Sequence, residues 1–271
     1  MSRPLWFVEL IKKTFSQRFL LAKTTSNNFI GNLIDRLLFE GDDIIFLPKD
    51  KVVEIKQNLE SPDQTVLPSK VVDHFIEQAS YHWIMDRCIC RDASDCKDYP
   101  HDLGCLFLGE AALGINPGLG RRVSREEAFD HVRKCREAGL VHLIGRNKLD
   151  TVWLNVGPGD KLLTICNCCP CCCLWRILPD LDRSISHKID KMPGVKVTVT
   201  DKCSGCGECI DDVCFADAIS MVDGRAFIGV ECRGCARCVE ACPNDAIEIT
   251  IDENRYVAET INRLAAKVDV K

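Results

Sequence analysis

The chain has 271 residues, enough for one large or two to three small domains, and its net charge of −5 at pH 7 argues against a general nucleic-acid binder. No apolar run approaches the length that crosses a bilayer, and MSRPLWFVELIKK shows no secretory leader pattern, so the expectation is a cytoplasmic protein. Nineteen cysteines in a chain of this length point to metal rather than a disulfide scaffold, and to oxygen-poor conditions.

Leu5, Val8, Ile11, Phe15, Phe19 and Ala22 recur at three- and four-residue steps, which predicts a helix from Pro4 to about Lys23. Residues 1–25 carry Arg3, Lys12, Lys13, Arg18 and Lys23 against Glu9 alone, and Trp6, Phe7 and Leu10 broaden the apolar face. A basic helix of this kind over residues 4–23 suits the inner face of an anionic membrane or a partner's groove. Packing on its own domain is the plain alternative. A second helix is expected over 28–40, ended by Gly41, then a buried strand at Ile44, Ile45, Phe46 and Leu47. The polar segment 58–68 holds two prolines and reads as a domain boundary.

Beyond it, Ser69 can cap a helix whose apolar positions are Val72, Phe75, Ile76, Ala79 and Trp83. A short helix is expected over 102–113, and GINPGLG (114–120) is a turn-rich connector without the spacing of a dinucleotide fingerprint. Ser124 and Glu127 form a capping box that opens a helix with Ala128, Val132 and Cys135 on one face, ended by Gly139. Cys135 reads there as a small buried hydrophobe. A strand at Leu140–Ile144, a hairpin partner at Val152–Val156 and a third strand at Leu162–Ile165 follow. Helices followed by a hairpin, with the wording SREEAFDHVRKCREAGLVHLI, resemble a winged-helix domain. Glu126, Glu127 and Asp130 would face phosphate there, so DNA is not the expected partner, and the segment reads as a scaffold for metal and protein contacts. The six histidines show no ligand spacing of their own; His101 alone lies inside a cysteine group.

That group is Cys88, Cys90, Cys96 and Cys105, in the order C-x-C-x5-C-x8-C with Arg87 and Arg91 beside the first pair. Four thiolates in a loop between helices can close on one centre. A second run, ICNCCPCCC, holds Cys166, Cys168, Cys169, Cys171, Cys172 and Cys173, and alternate side chains of an extended backbone cannot all face one way. Three arrangements follow: a [4Fe–4S] cluster for each group, one cluster shared between them, or zinc in one group.

The strongest pattern runs from Cys203 to Pro243. Cys203, Cys206 and Cys209 are followed by Cys214; Cys232, Cys235 and Cys238 are followed by Cys242 and Pro243. Three thiolates at two-residue spacing wrap one corner of a cube, and the distant fourth serves the other cube. Cys203, Cys206, Cys209 and Cys242 are therefore expected to hold one [4Fe–4S] cluster, and Cys232, Cys235, Cys238 and Cys214 a second. This resembles the bacterial-type two-cluster ferredoxin module over residues 195–251, with the endings Asp217-Ala218-Ile219 and Asp245-Ala246-Ile247 repeated. The first half departs from that family by one extra residue before Cys214 and by Phe215 where proline is usual. The adjacent cysteine pairs faintly resemble the CCG-type domains of heterodisulfide reductases. The whole order of motifs is similar to iron–sulfur proteins of anaerobic bacteria and archaea.

The expected architecture is α+β: an amphipathic helical region (1–67), a cysteine-rich winged-helix-like domain (68–190), a two-cluster ferredoxin domain (191–251) and a final amphipathic helix (252–271). The expected function is electron relay through two to four [4Fe–4S] clusters, to or from a redox partner or a larger oxidoreductase complex. Two alternatives stand beside it: an oxidoreductase with thiol or disulfide chemistry at a middle cluster, and a redox-responsive regulator. No catalytic residue is singled out.

Overall fold

In Asp43–Phe46 (β1) all four residues are buried, and successive side chains serve opposite sides: Ile44 and Phe46 enter one apolar cluster, Ile45 another. A strand buried on both faces belongs inside a sheet, and β1 lies between two others. The structure, a computed structural model, describes residues 2–50, 53–55, 67–251 and 255–271. In chain order the further strands are Val53–Ile55 (β2), His82–Met85 (β3), Leu106–Leu108 (β4), Gly120–Val123 (β5), Val141–Arg146 (β6), Leu163–Cys168 (β7) and Ile189–Lys191 (β8). Val195–Val199 (β9), Ile219–Val222 (β10), Arg225–Ile228 (β11) and Ile247–Ile251 (β12) complete them.

The main sheet has seven strands in the order β5-β3-β4-β7-β6-β1-β8, antiparallel throughout except for the β1–β8 pair. At Gly145 a Cβ would stand 2.0 Å from the Asp43 carbonyl oxygen, so only glycine lets β6 approach β1 this closely. A second sheet, β2-β12-β9, pairs β12 antiparallel with β9 and parallel with β2, and β10 and β11 form a separate hairpin. The fold is thus α+β. The boundary drawn at residue 67 does not coincide with a division between sheets, since β1 enters the main sheet and β2 the second; residues 58–66 of the expected linker lie outside the described residues.

One face of the main sheet packs on helices Ser69–Gln78 and Arg125–Glu137, with Val72, Phe75, Ile76, Ala128 and Val132 buried against Leu106, Leu108, Ile144 and Ile165. The capping box is present: Ser124 Oγ accepts from the Glu127 N–H, and the Ser124 N–H donates to the Glu127 carboxylate. Helix Arg255–Ala265 returns to this face, placing Val257 and Leu264 in the same cluster. The opposite face carries the N-terminal helices and the 3-10 run Leu174–Asp180, with Phe15, Ala22, Trp175 and Ile177 against Phe46 and Leu143.

The winged-helix expectation is corrected on three counts. Helix Ser69–Gln78 stops before Trp83, which lies in β3; the helix expected over 102–113 is β4 followed by a 3-10 turn at Glu110–Gly114. The hairpin partner expected at Val152–Val156 is instead part of helix Lys148–Leu154, ended by Asn155 in the left-handed conformation. β6 pairs with β7 and β1, so neither of its edges is open to the 152–156 segment. The N-terminal helix is divided as Leu5–Thr14, a 3-10 turn and Arg18–Thr24, and the 28–40 helix is α-helical over Asn28–Ile34 and a π-turn over Asp35–Phe39.

Candidate metal centre

The C-terminal repeat is written into the backbone as well as the spacing. Gly205 and Gly234, equivalent within the two Cys-x-x-Cys turns, have φ of 73° and 62°. Asp217 and Asp245, equivalent in the two endings, have φ of 51° and 46°. The hydrogen bonds repeat too: the Ala218 N–H donates to Cys214 Sγ and the Ala246 N–H to Cys242 Sγ, both at 3.3 Å. Cys203, Cys206, Cys209 and Cys242 line one cavity, and Cys214, Cys232, Cys235 and Cys238 line a second. Backbone N–H groups aimed at sulfur favour the thiolate, which is the ligating form. Donors at Ala226 and Gly205 hold the Cys203 thiol below its usual range, whereas burial pushes Cys235 up to about 11. Cys206 is exposed, so the first cavity lies at the surface.

Phe215, where proline was expected, is buried and stacks on Phe46 of β1 with centroids 4.7 Å apart. The departure at Phe215 thus fastens the turn after Cys214 to the main sheet.

The middle cysteines do not stay in their sequence groups. Cys88, Cys90 and Cys105 from the first group, and Cys166, Cys168, Cys169 and Cys173 from the second, line one cavity together with Arg91, Asp150 and Trp175. Cys88 precedes helix Ile89–Ala93, which carries Cys90; Cys105 immediately precedes β4. Cys166 and Cys168, two apart on β7, face one side, and Cys173 caps the 3-10 run, accepting from the Trp175 N–H. Cys105 and Cys166 Sγ are 3.9 Å apart, and Cys168 and Cys173 Sγ 3.0 Å. Cys96 leaves its neighbours for Cys169, Cys171 and Cys172, all four Sγ atoms lying within 4.8 Å of one another. Cys135 is fully buried near these but belongs to neither set; its thiol faces His131. His101 bonds to Asp92 and to the Cys96 carbonyl oxygen and reaches no thiol cavity.

Beside Arg91, already marked by its place next to the first cysteine pair, these cavities are served by Arg233 and Arg237, which lie inside the Cys232–Cys235 and Cys235–Cys238 spacings and which sequence reading passed over. Arg91 is fully buried and donates to the carbonyl oxygens of Asn167 and Leu103. Burial opposes its charge, but thiols at Cys88, Cys169, Cys105 and Cys168 hold it above its ordinary value. Arg237 lines the Cys214–Cys238 cavity and donates to the Cys168 carbonyl oxygen, so it touches both that cavity and a strand of the middle one. The Nε atoms of Arg91, Arg233 and Arg237 are buried without a hydrogen-bond partner, as is that of Arg18, whose charge is felt at Cys90 and Cys173. Orphaned buried donors beside several thiolates fit an anionic sulfide-bearing group in each of these two cavities.

A family model for the 4Fe-4S binding domain matches residues 230–248, the stretch holding Cys232, Cys235, Cys238 and Cys242. No curated protein and no solved structure matches the chain. The C-terminal region carries a ferredoxin-type module, and the chain is an iron–sulfur binding protein.

Proposed function

We propose that this chain is an electron-transfer protein with three iron–sulfur centres in series. A [4Fe–4S] cluster supplies one-electron chemistry at a potential set by charge, hydrogen bonds and solvent access. Cys203, Cys206, Cys209 and Cys242 would hold the outer one, Cys214, Cys232, Cys235 and Cys238 the next, and a subset of Cys88, Cys90, Cys105, Cys166, Cys168 and Cys173 the innermost. The observation that carries this reading is the contact of Arg237, which lines the second cavity, with Cys168 of the third. Residues of both ferredoxin cavities share one apolar cluster, and Cys214, Cys232 and Cys235 pack with Cys90, Cys166 and Cys168 in another, so water is excluded along the series. At the far end the exposed Cys206 gives a soluble redox partner access. At the near end the N-terminal helices, rich in exposed apolar side chains, form the contact face for a membrane surface.

The test is iron and acid-labile sulfide per chain after purification without oxygen. About 12 iron is expected, falling to about 8 when Cys88 and Cys168 are both changed to serine. About 8 in the unaltered chain, with the middle thiols free to react, removes the third centre. A second reading, an oxidoreductase working at the middle cavity, is favoured by one observation: its seven thiols exceed the four that a cube takes. Turnover of a thiol or disulfide substrate separates the two.

A further inference from the structure

Five cysteines are left over from the series, and four of them differ in kind from the rest. Cys96, Cys169, Cys171 and Cys172 have Sγ atoms within 4.8 Å of one another, with Cys96–Cys171 and Cys171–Cys172 both at 3.6 Å. Among the described residues no other group of cysteines is drawn together so closely, and neither ferredoxin foursome meets this spacing. The difference is diagnostic. A cube carries its thiolates on four separate irons, so the sulfurs stand well apart around it. A single tetrahedral ion with metal–sulfur bonds of about 2.3 Å brings its sulfurs to about 3.8 Å of one another, within a few tenths of the observed contacts.

From this geometry we infer that Cys96, Cys169, Cys171 and Cys172 bind one mononuclear zinc ion. Tetrahedral all-sulfur coordination is a closed, structural zinc arrangement with no position left for a substrate. The local backbone suits it. Arg176 donates to the Cys171 carbonyl oxygen at 2.6 Å and braces the turn around Pro170. Cys135, although fully buried in the same apolar cluster, is outside the foursome, so burial among thiols does not by itself define the set.

The position gives the ion a purpose. Cys96 lies just beyond helix Ile89–Ala93, which carries Cys90 and Arg91. The other three ligands fall between Cys168 and Cys173. One ion therefore ties together the two chain segments that wall the middle cavity, which Cys169 itself lines, across a sequence distance of about 75 residues. It is a staple for that cavity and carries no electron itself. The assignment of zinc to these four cysteines does not depend on the electron-transfer reading.

The experiment is zinc K-edge X-ray absorption and metal analysis on the full chain purified without oxygen. One zinc per chain is expected, with four sulfurs at about 2.3 Å. Cys96→Ser and Cys171→Ser should each lower retained zinc at least tenfold against a chelator, whereas Cys135→Ala should leave it unchanged. Less than a tenth of a zinc per chain, a shell containing nitrogen or oxygen, or iron neighbours at about 2.7 Å in place of zinc overturns the proposal. Unchanged zinc in both serine variants overturns it as well. Should those variants fail to fold, the sulfur shell of the unaltered chain decides the matter alone.

Discussion

Arg237 is a buried cation at the junction of two thiol-lined cavities. Its guanidinium donates to the Cys168 carbonyl oxygen, and it lines the cavity formed by Cys214, Cys232, Cys235 and Cys238. A buried positive charge favours the reduced, more negative state of any redox centre beside it, and little solvent intervenes to screen it. Arg237→Met keeps much of the length and removes the charge. We expect the midpoint potential of one centre to fall by about 50 mV, the equivalent of roughly 1 kcal/mol for one electron. Arg225, half-exposed and paired with Asp201 near Cys203, is the comparison: Arg225→Met should shift its neighbour much less. Potentiometric titration followed by electron paramagnetic resonance reads both, and equal shifts would show that burial of Arg237 is not what matters.

At the scale of elements, Asp42 shows how the turn before β1 is held. Its Oδ1 accepts the Lys148 N–H at 2.7 Å, tying the start of helix Lys148–Leu154 to β1, while Oδ2 is buried without a partner. Burial pushes its pKa from 3.8 up to about 7. The folded chain therefore keeps this proton to a higher pH than the unfolded chain does. The stabilising contribution is full below about pH 4 and is lost as pH rises towards 7. Asp42→Asn keeps an oxygen for Lys148 and removes the titration. Relative to the unaltered chain it should gain about 1–3 kcal/mol between pH 5 and pH 8, read from urea midpoints under nitrogen. A gain that is the same at both pH values would mean that ionisation of Asp42 is not the cause.

The same scale explains what could be read from sequence. The capping box at Ser124 and the C-terminal repeat depend on residues within a few positions of one another, and both are visible as spacing. The Phe215 departure was visible as well, but not its cause, since Phe46 lies far off in the chain. Trp83 fits the helical spacing of Val72, Phe75, Ile76 and Ala79, yet His82, Trp83, Ile84 and Met85 are all buried in β3, and so short a run has no period that distinguishes strand from helix. The middle cysteines were the hardest. Neighbours in sequence go to different places: Cys96 parts from Cys90, and Cys172 from Cys173, because the main sheet brings distant segments together. Spacing within each group carries no record of that exchange.

For the whole molecule, what matters is where the surface is unfinished. Among the described residues, most of the large exposed apolar side chains fall in the first 37 positions, including Trp6 at 66%, Leu20 at 69% and Phe29 at 80% exposure. No described helix is long and apolar enough to cross a membrane. The face is nonetheless anchored from beneath: Lys12 pairs with Asp92 on the helix that carries Cys90, and Phe15 and Ala22 are buried in the cluster that holds Cys168 and Cys173. Under the membrane contact proposed above, the apolar and aromatic side chains would enter the acyl region, with the exposed Lys13 and Lys23 beside them at the headgroups of an anionic lipid surface. Each inserted side chain contributes about 1 kcal/mol or more. Changing Trp6, Leu20 and Phe29 together to glutamate should therefore cut co-sedimentation with phosphatidylglycerol vesicles at least a hundredfold. Because these side chains are exposed, iron content and fold should survive the change. Binding to the same vesicles should also weaken at high salt and be poorer with neutral lipid, since the cations share the work. If the unaltered chain ignores vesicles but pairs with itself in sedimentation, and the triple change abolishes that pairing, the face serves a second copy instead. The inner cavity would then lie under a protein interface rather than a lipid one.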